Sequence, residues 1–250
     1  PVFVLVHGAW HGAWCWGRVV WRLARHGRVL TPTLTGVGER AAELTPEVSL
    51  ETHVRDVAGL IEREDLTDVV LCGHSYGGMV VTAVCDRLKP RFRHVVYLDA
   101  AVPDDGESMI TQQPGITPAE AAATEAALRA LAPEGVAMGV FEDVTLFGVA
   151  RESPEEALLK RRLTPHPLRT WSDPVRLSAG GSEGLARTYV HCVNPPLVPS
   201  SFPLHAARIR RDPTWRYVEL ATGHDAMLTD PDGVAGVLAR AAAQPSSAKS

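Results

Sequence analysis

Long apolar runs are missing from this 250-residue chain. No stretch reaches the roughly 18 to 20 residues needed to cross a bilayer, and the opening Pro1-Val2-Phe3-Val4-Leu5-Val6 is too short for a secretory signal with a cleavage site behind it. A cytoplasmic location is the expectation that follows. An excess of one charge is missing too. A formal net charge of −4, with both signs interspersed, offers no basic face to nucleic acid and no polybasic tail to a membrane, so neither is an expected partner. Cysteine is scarce. Cys15, Cys72, Cys85 and Cys192 are widely spaced in or beside apolar segments, which argues against a disulfide framework or a metal site and reads as buried thiols. There is no internal repeat. At 45% hydrophobic the chain can build one large core, so a single domain is the default. Oligomeric state is not encoded legibly, and a homodimer is compatible with everything here.

What the chain does contain is an alternation of strand and helix patterns. Val2 to Val6 reads as a buried strand opening into His7-Gly8-Ala9-Trp10. Trp16, Val19, Val20, Leu23 and Ala24 recur at helical spacing until Gly27, and Arg28 to Thr31 begins a second strand. Pro32 to Glu47 is an aperiodic loop. Ser49 then caps a helix whose Leu50, Val54, Val57, Leu60 and Ile61 share a face. A third strand, Val69 to Cys72, enters Gly73-His74-Ser75-Tyr76-Gly77-Gly78, and the helix after it runs to about Leu88 before Lys89-Pro90 breaks it. His94 to Leu98 is a fourth strand ending in Asp99-Ala100-Ala101.

Between Pro103 and about Gly184 no strong strand is present, and helix signals take over. Thr117-Pro118-Ala119-Glu120 is a capping box with proline at the first helical position, and Ser153-Pro154-Glu155-Glu156 repeats the device. Arg187 to Val193 and Trp215 to Leu220 resume the strand pattern, Gly223-His224-Asp225 follows the last strand, and a final helix starts near Asp230-Pro231. This order predicts an α/β fold, a mainly parallel doubly wound sheet built from residues 1–102 and 185–243. Residues 103–184 are expected as a helical lid over the strands' C-terminal ends, and 244–250 as a frayed tail.

The hexad at 73–78 carries the chemistry. A Gly-x-Ser-x-Gly sequence between a strand and a helix forms a nucleophile elbow, in which a strained turn lifts the serine hydroxyl above the sheet edge and flanking residues must be small. Taken alone, the same hexad is also compatible with a glycine-rich turn whose serine caps a helix, so the partners decide. A hydroxyl at neutral pH needs a base, and the base needs a third group to fix its tautomer. His224, just after the last strand, is the base. The usual place for the acid, the loop after the penultimate strand, reads Cys192-Val193-Asn194-Pro195-Pro196-Leu197 and holds no carboxylate. Asp99, at the end of the strand after the elbow helix, is the better candidate, and Asn194 is the alternative that could orient an imidazole without stabilising its charge. The oxyanion of a tetrahedral intermediate needs preplaced N–H donors. The backbones of Ala9 and Tyr76 are the candidates, with His7 holding the first loop in place. Trp10, Met109, Phe141, Phe147 and Trp171, with Tyr76 itself, are candidate substrate-pocket residues because they are large, apolar and near the elbow or within the lid.

The blocks Leu5 to Trp14, Gly73 to Gly78 and Gly223 to Leu228, in that order, resemble the methylesterase and hydroxynitrile lyase group of the α/β-hydrolase fold, and the fold resemblance covers nearly the whole chain. The resemblance implies cofactor-free hydrolysis of small carboxylic esters and a lid that shapes an apolar pocket. Two departures matter. The lyases carry threonine and lysine where this chain has Gly8 and Asp225, which argues against cyanohydrin cleavage. The methylesterases place their aspartate where this chain has Asn194-Pro195-Pro196, so the acid moves to Asp99, as in the dehalogenase branch.

The expected function is therefore a serine hydrolase that cleaves small hydrophobic or aromatic esters through an acyl-enzyme on Ser75. The competing readings are a lyase or cyclase using the same elbow on a biosynthetic intermediate, and a small-ligand receptor with incidental esterase activity.

Overall fold

Apolar, mostly β-branched runs become the strands of one parallel sheet. In the computed structural model, which describes residues 1–113, 115–132, 135–198 and 200–244, β1 (Val2–Val6) leads through α1 (Gly17–Leu23) to β2 (Arg28–Leu30). Next come α2 (Leu50–Arg63), β3 (Val69–His74), α3 (Gly77–Leu88) and β4 (Phe92–Leu98). The segment between β4 and the next long strand carries α4 (Pro118–Leu131), a two-stranded antiparallel ribbon of β5 (Ala137–Met138) and β6 (His166–Pro167), α5 (Pro154–Arg162) and α6 (Arg169–Ser172). Then β7 (Arg187–Cys192), α7 (Phe202–Ile209), β8 (Trp215–Leu220), α8 (Ala226–Thr229) and α9 (Pro231–Ala243) complete the chain.

The sheet order is β2-β1-β3-β4-β7-β8, and every pairing is parallel. Helices α2 and α3 pack as one pair and α1 and α9 as another, with α3 and α9 both lying on β3 and β4. Strands covered on both faces must be apolar throughout, and β3 is buried at all six positions. The order turns back between β1 and β3, where crevices form at the carboxyl ends of such sheets. Val6 of β1 is in register with Gly73 of β3, so the loop after β1 and the elbow after β3 emerge side by side.

The helix starts follow their signals. Ser49 and Thr117 form reciprocal capping boxes with Thr52 and Glu120, and Ser153 accepts from the Glu156 N–H. Three details differ from the sequence expectation. β4 begins two residues earlier, at Phe92. The loop after β2 contains a 3-10 turn, Gly38–Glu43. Helix α7, which buries Phe202, His205, Ala206 and Ile209 and carries proline in its first turn, lies in a stretch to which the sequence expectation assigned no element. The expected frayed tail begins at Gln244, and 245–250 lie outside the described residues. Among the described residues no helix is long and apolar enough to cross a membrane.

Candidate active site

Ser75 sits at φ 55°, a left-handed conformation that costs a residue with a Cβ on the order of 1 kcal/mol or more and persists only where neighbours enforce it. Three backbone hydrogen bonds do so. The Ser75 N–H donates to the Leu98 carbonyl at 3.2 Å, and the Ser75 carbonyl accepts from the N–H groups of Gly78 and Ala101, both at 3.1 Å. The elbow is thus held by the end of β4 and by the first turn of α3. Its close quarters explain one glycine outside the hexad: a Cβ on Gly8 would come within 2.8 Å of the Ser75 Cβ and 2.9 Å of His74 Nδ1. The loop after β1 therefore lies directly against the serine.

His224 follows β8 and Asp99 follows β4. Nδ1 of His224 lies 2.7 Å from Asp99 Oδ2, both side chains being buried. A carboxylate accepts, so Nδ1 carries the proton and Nε2 is left as the basic nitrogen. The other carboxylate oxygen, Oδ1, accepts from the Cys192 N–H at 3.2 Å, while the Asp99 N–H donates to the Val190 carbonyl at 2.7 Å. Asp99 too is left-handed, at φ 42°, and this turns its side chain across the end of β7 to reach His224. The imidazole is stacked between Phe202 and Phe147, with ring centroids at 5.4 and 6.2 Å. Its backbone carbonyl accepts from His74 Nε2 at 3.0 Å, which brings the residue before Ser75 against His224. Asn194 is exposed, and its N–H donates to the Thr222 carbonyl.

Around the first loop, ring nitrogens do the positioning. His7 donates from Nδ1 to the Gly8 carbonyl at 2.8 Å and accepts from the Leu34 N–H at Nε2, 3.1 Å. That pattern requires a neutral ring, and burial pushes its pKa down to about 3. Trp10, at φ 63°, donates its N–H to His166 Nδ1 at 3.3 Å, and its carbonyl accepts from the Thr164 N–H at 3.1 Å. The Tyr76 hydroxyl bonds His53 Nδ1 at 2.9 Å, and burial lowers the His53 pKa to about 4. Burial also holds His74 and His166 well below the usual imidazole range.

The expected pocket residues fall into two places. Trp10 is edge-on to Phe141 at 4.9 Å and tilted toward Trp171 at 5.5 Å and Phe147 at 6.4 Å, and Tyr76 stacks on Trp171 at 6.1 Å. Phe141 is exposed at the edge of this group. Met109 is buried by α3, its sulfur 3.9 Å from Gln112 Nε2, which also contacts the Met79 sulfur. His53 and His166 complete the aromatic group, and neither was singled out in the sequence. A lone histidine within a helix, as His53 in α2, or behind a proline, as His166, carries no local signal of its partner.

His74, His224 and Asp225 each offer an atom within 4.8 Å of the others. Two of these rings already face protein partners, His74 the His224 carbonyl and His224 the Asp99 carboxylate.

The sequence profile of the alpha/beta hydrolase family matches residues 3–237. A carbendazim-hydrolysing esterase from a Nocardioides strain is 42% identical over 240 residues, spanning 95% of this chain and 98% of the relative. A pheophorbidase from Raphanus sativus is 29% identical over 96% of this chain and 93% of its own length. Among solved structures, an extracellular alpha/beta-hydrolase from a Paenibacillus species, described as homologous in structure and function to tobacco salicylic acid binding protein 2, superposes with a TM-score of 0.80. It is 25% identical, and the match covers 97% of this chain and 99% of that one.

Proposed function

This chain belongs to the alpha/beta hydrolase family, and we propose that within it the protein is a carboxylic ester hydrolase acting through an acyl-enzyme on Ser75. The observation that carries the reading is the 2.7 Å contact between His224 Nδ1 and Asp99, together with an elbow serine held in a strained turn. His224 Nε2 takes the Ser75 proton as Oγ attacks the ester carbonyl, and Asp99 stabilises the imidazolium that forms. The N–H groups of Ala9 and Tyr76 receive the oxyanion. His224 then protonates the departing alcohol, and a water molecule, deprotonated by the same nitrogen, releases the acid and restores the serine.

The substrates are small esters or carbamates with a flat aromatic acyl portion, seated among Trp10, Phe141, Phe147, Trp171 and Tyr76. Support comes from the mutual packing of these rings and from a relative named for carbendazim hydrolysis. Residues 103–184 act as the lid, pinned to the first loop through Trp10 by His166 and Thr164. The four buried free cysteines suit a cytoplasmic setting.

The test is steady-state turnover of methyl benzoate, methyl salicylate, carbendazim and p-nitrophenyl acetate against a Ser75→Ala background. Turnover of the aromatic substrates with higher kcat/KM than ethyl acetate supports the reading. No turnover of any of them above that background overturns it.

A further inference from the structure

Asp225 follows the base in sequence, and while its Oδ1 lies 3.8 Å from His74 Nε2, its hydrogen bond is made to another ring. The side chain is fully buried and its Oδ2 lies 3.0 Å from His11 Nε2, a contact between residues 214 apart in the chain. The other nitrogen of His11, Nδ1, lies 2.7 Å from the Ala9 carbonyl. A carbonyl can only accept, so Nδ1 carries a proton. A carboxylate also accepts, so Nε2 carries one as well, and the ring is an imidazolium facing an aspartate. Burial alone would drive His11 toward neutrality, but the Asp225 charge and the hydrogen bonds from both sides outweigh it and raise the pKa. The other groups packed on the ring are His74 at 5.9 Å, itself kept neutral by burial, Trp14 stacked at 5.4 Å, and Phe147 at 5.7 Å.

A buried ion pair is a poor source of net stability, since desolvation cancels most of its attraction, yet it fixes geometry firmly. What this one fixes is specific. It joins the residue after His224 to the carbonyl of the residue whose N–H faces the oxyanion. The Ala9 N–H itself belongs to the preceding peptide, whose Gly8 carbonyl accepts from His7. We propose that His11 and Asp225 are positioning residues for catalysis, a buried pair that locks the Ala9 peptide to the His224 loop so that oxyanion donor and base keep one mutual geometry. The proposal rests on the reading of Ser75, His224 and Ala9 given above. Neither residue touches substrate. Their effect is exerted through the Ala9 N–H, and it belongs to the transition state, where charge sits on the oxygen, rather than to the bound ester.

His11→Ala, Asp225→Ala, Asp225→Asn and the double alanine variant are compared with the wild type on p-nitrophenyl acetate, together with inhibition by an aryl trifluoromethyl ketone. Ser75 Oγ adds to that ketone, its proton passes to His224, and the resulting oxyanion occupies the site under test. Each alanine variant is expected to lower kcat by roughly 10- to 100-fold with KM little changed. The inhibition constant should rise in parallel with the fall in kcat. The double variant should be no worse than the more damaging single one, because the two side chains act as a unit. Asp225→Asn, which keeps an acceptor oxygen for His11, should recover part of the loss, and it is the variant to rely on if an alanine variant does not fold. A lower Tm with kcat and ketone affinity unchanged overturns the proposal and leaves a structural pair. Turnover that survives Ser75→Ala strikes instead at the underlying hydrolase reading, so the two failures are told apart.

Discussion

Asp99 and Ser75 share an unusual backbone, each a non-glycine residue with φ between 40° and 60° at the end of a buried strand. In both cases the turn redirects the side chain, Ser75 against the first loop and Asp99 onto His224. The assignment of the acid is therefore a matter of residue geometry, and two substitutions separate the candidates. Asp99→Asn keeps the shape but loses the charge and invites the wrong imidazole tautomer, so kcat should fall by about 10³- to 10⁴-fold. Asn194→Ala, altering an exposed side chain, should change kcat by no more than about 2- to 3-fold. Stopped-assay kinetics on one activated ester reads both, and the opposite ranking would return the role to Asn194.

Elements, rather than single side chains, decide how the segment between β4 and β7 is carried. Asp86 on α3 is buried and accepts four hydrogen bonds from that segment's far end. They come from the Ser178 N–H at 2.8 Å, the Ser178 hydroxyl at 3.0 Å, the Ala179 N–H at 2.7 Å and the Gly181 N–H at 2.8 Å. Burial pushes its pKa up, but these donors outweigh that and bring it below the ordinary 3.8. The sign for stability follows. A depressed carboxyl pKa contributes stability that is present above the unfolded value and is lost as pH falls through the folded one. Asp86→Ala should thus cost about 1 to 3 kcal/mol near pH 7, and the gap in Tm to wild type should narrow as pH drops below about 4. Thermal melts across pH 3 to 7 measure it, and a gap independent of pH would remove the carboxylate from the account.

At the scale of the whole molecule, the legible part was what sequence neighbours determine. Continuous apolar runs such as Val69 to Cys72 marked strands covered on both faces, and the Gly-x-Ser-x-Gly turn between strand and helix located Ser75. His224 was legible because its place after the last strand brings it to the edge where the elbow opens. Asp99 could be reached only by elimination, since the expected loop lacks a carboxylate. The bond to His224 crosses 125 positions and depends on a backbone twist that no pattern announces. The His11–Asp225 pair was less visible still. A histidine inside an aromatic loop and an aspartate next to His224 each look ordinary until the fold brings the loop after β1 to the loop after β8.

The central claim, that Ser75 carries the acyl group while His224 and Asp99 move its proton, meets its most direct test in a pre-steady-state experiment. Rapid mixing of enzyme with excess p-nitrophenyl acetate, with intact mass measured on the acid-quenched sample, should give a burst of p-nitrophenol close to one equivalent per chain. The protein mass should increase by one acetyl group, and both signals should vanish in Ser75→Ala. Turnover with no burst and no added mass in the wild type, or an acetyl group that still appears in Ser75→Ala, would contradict it.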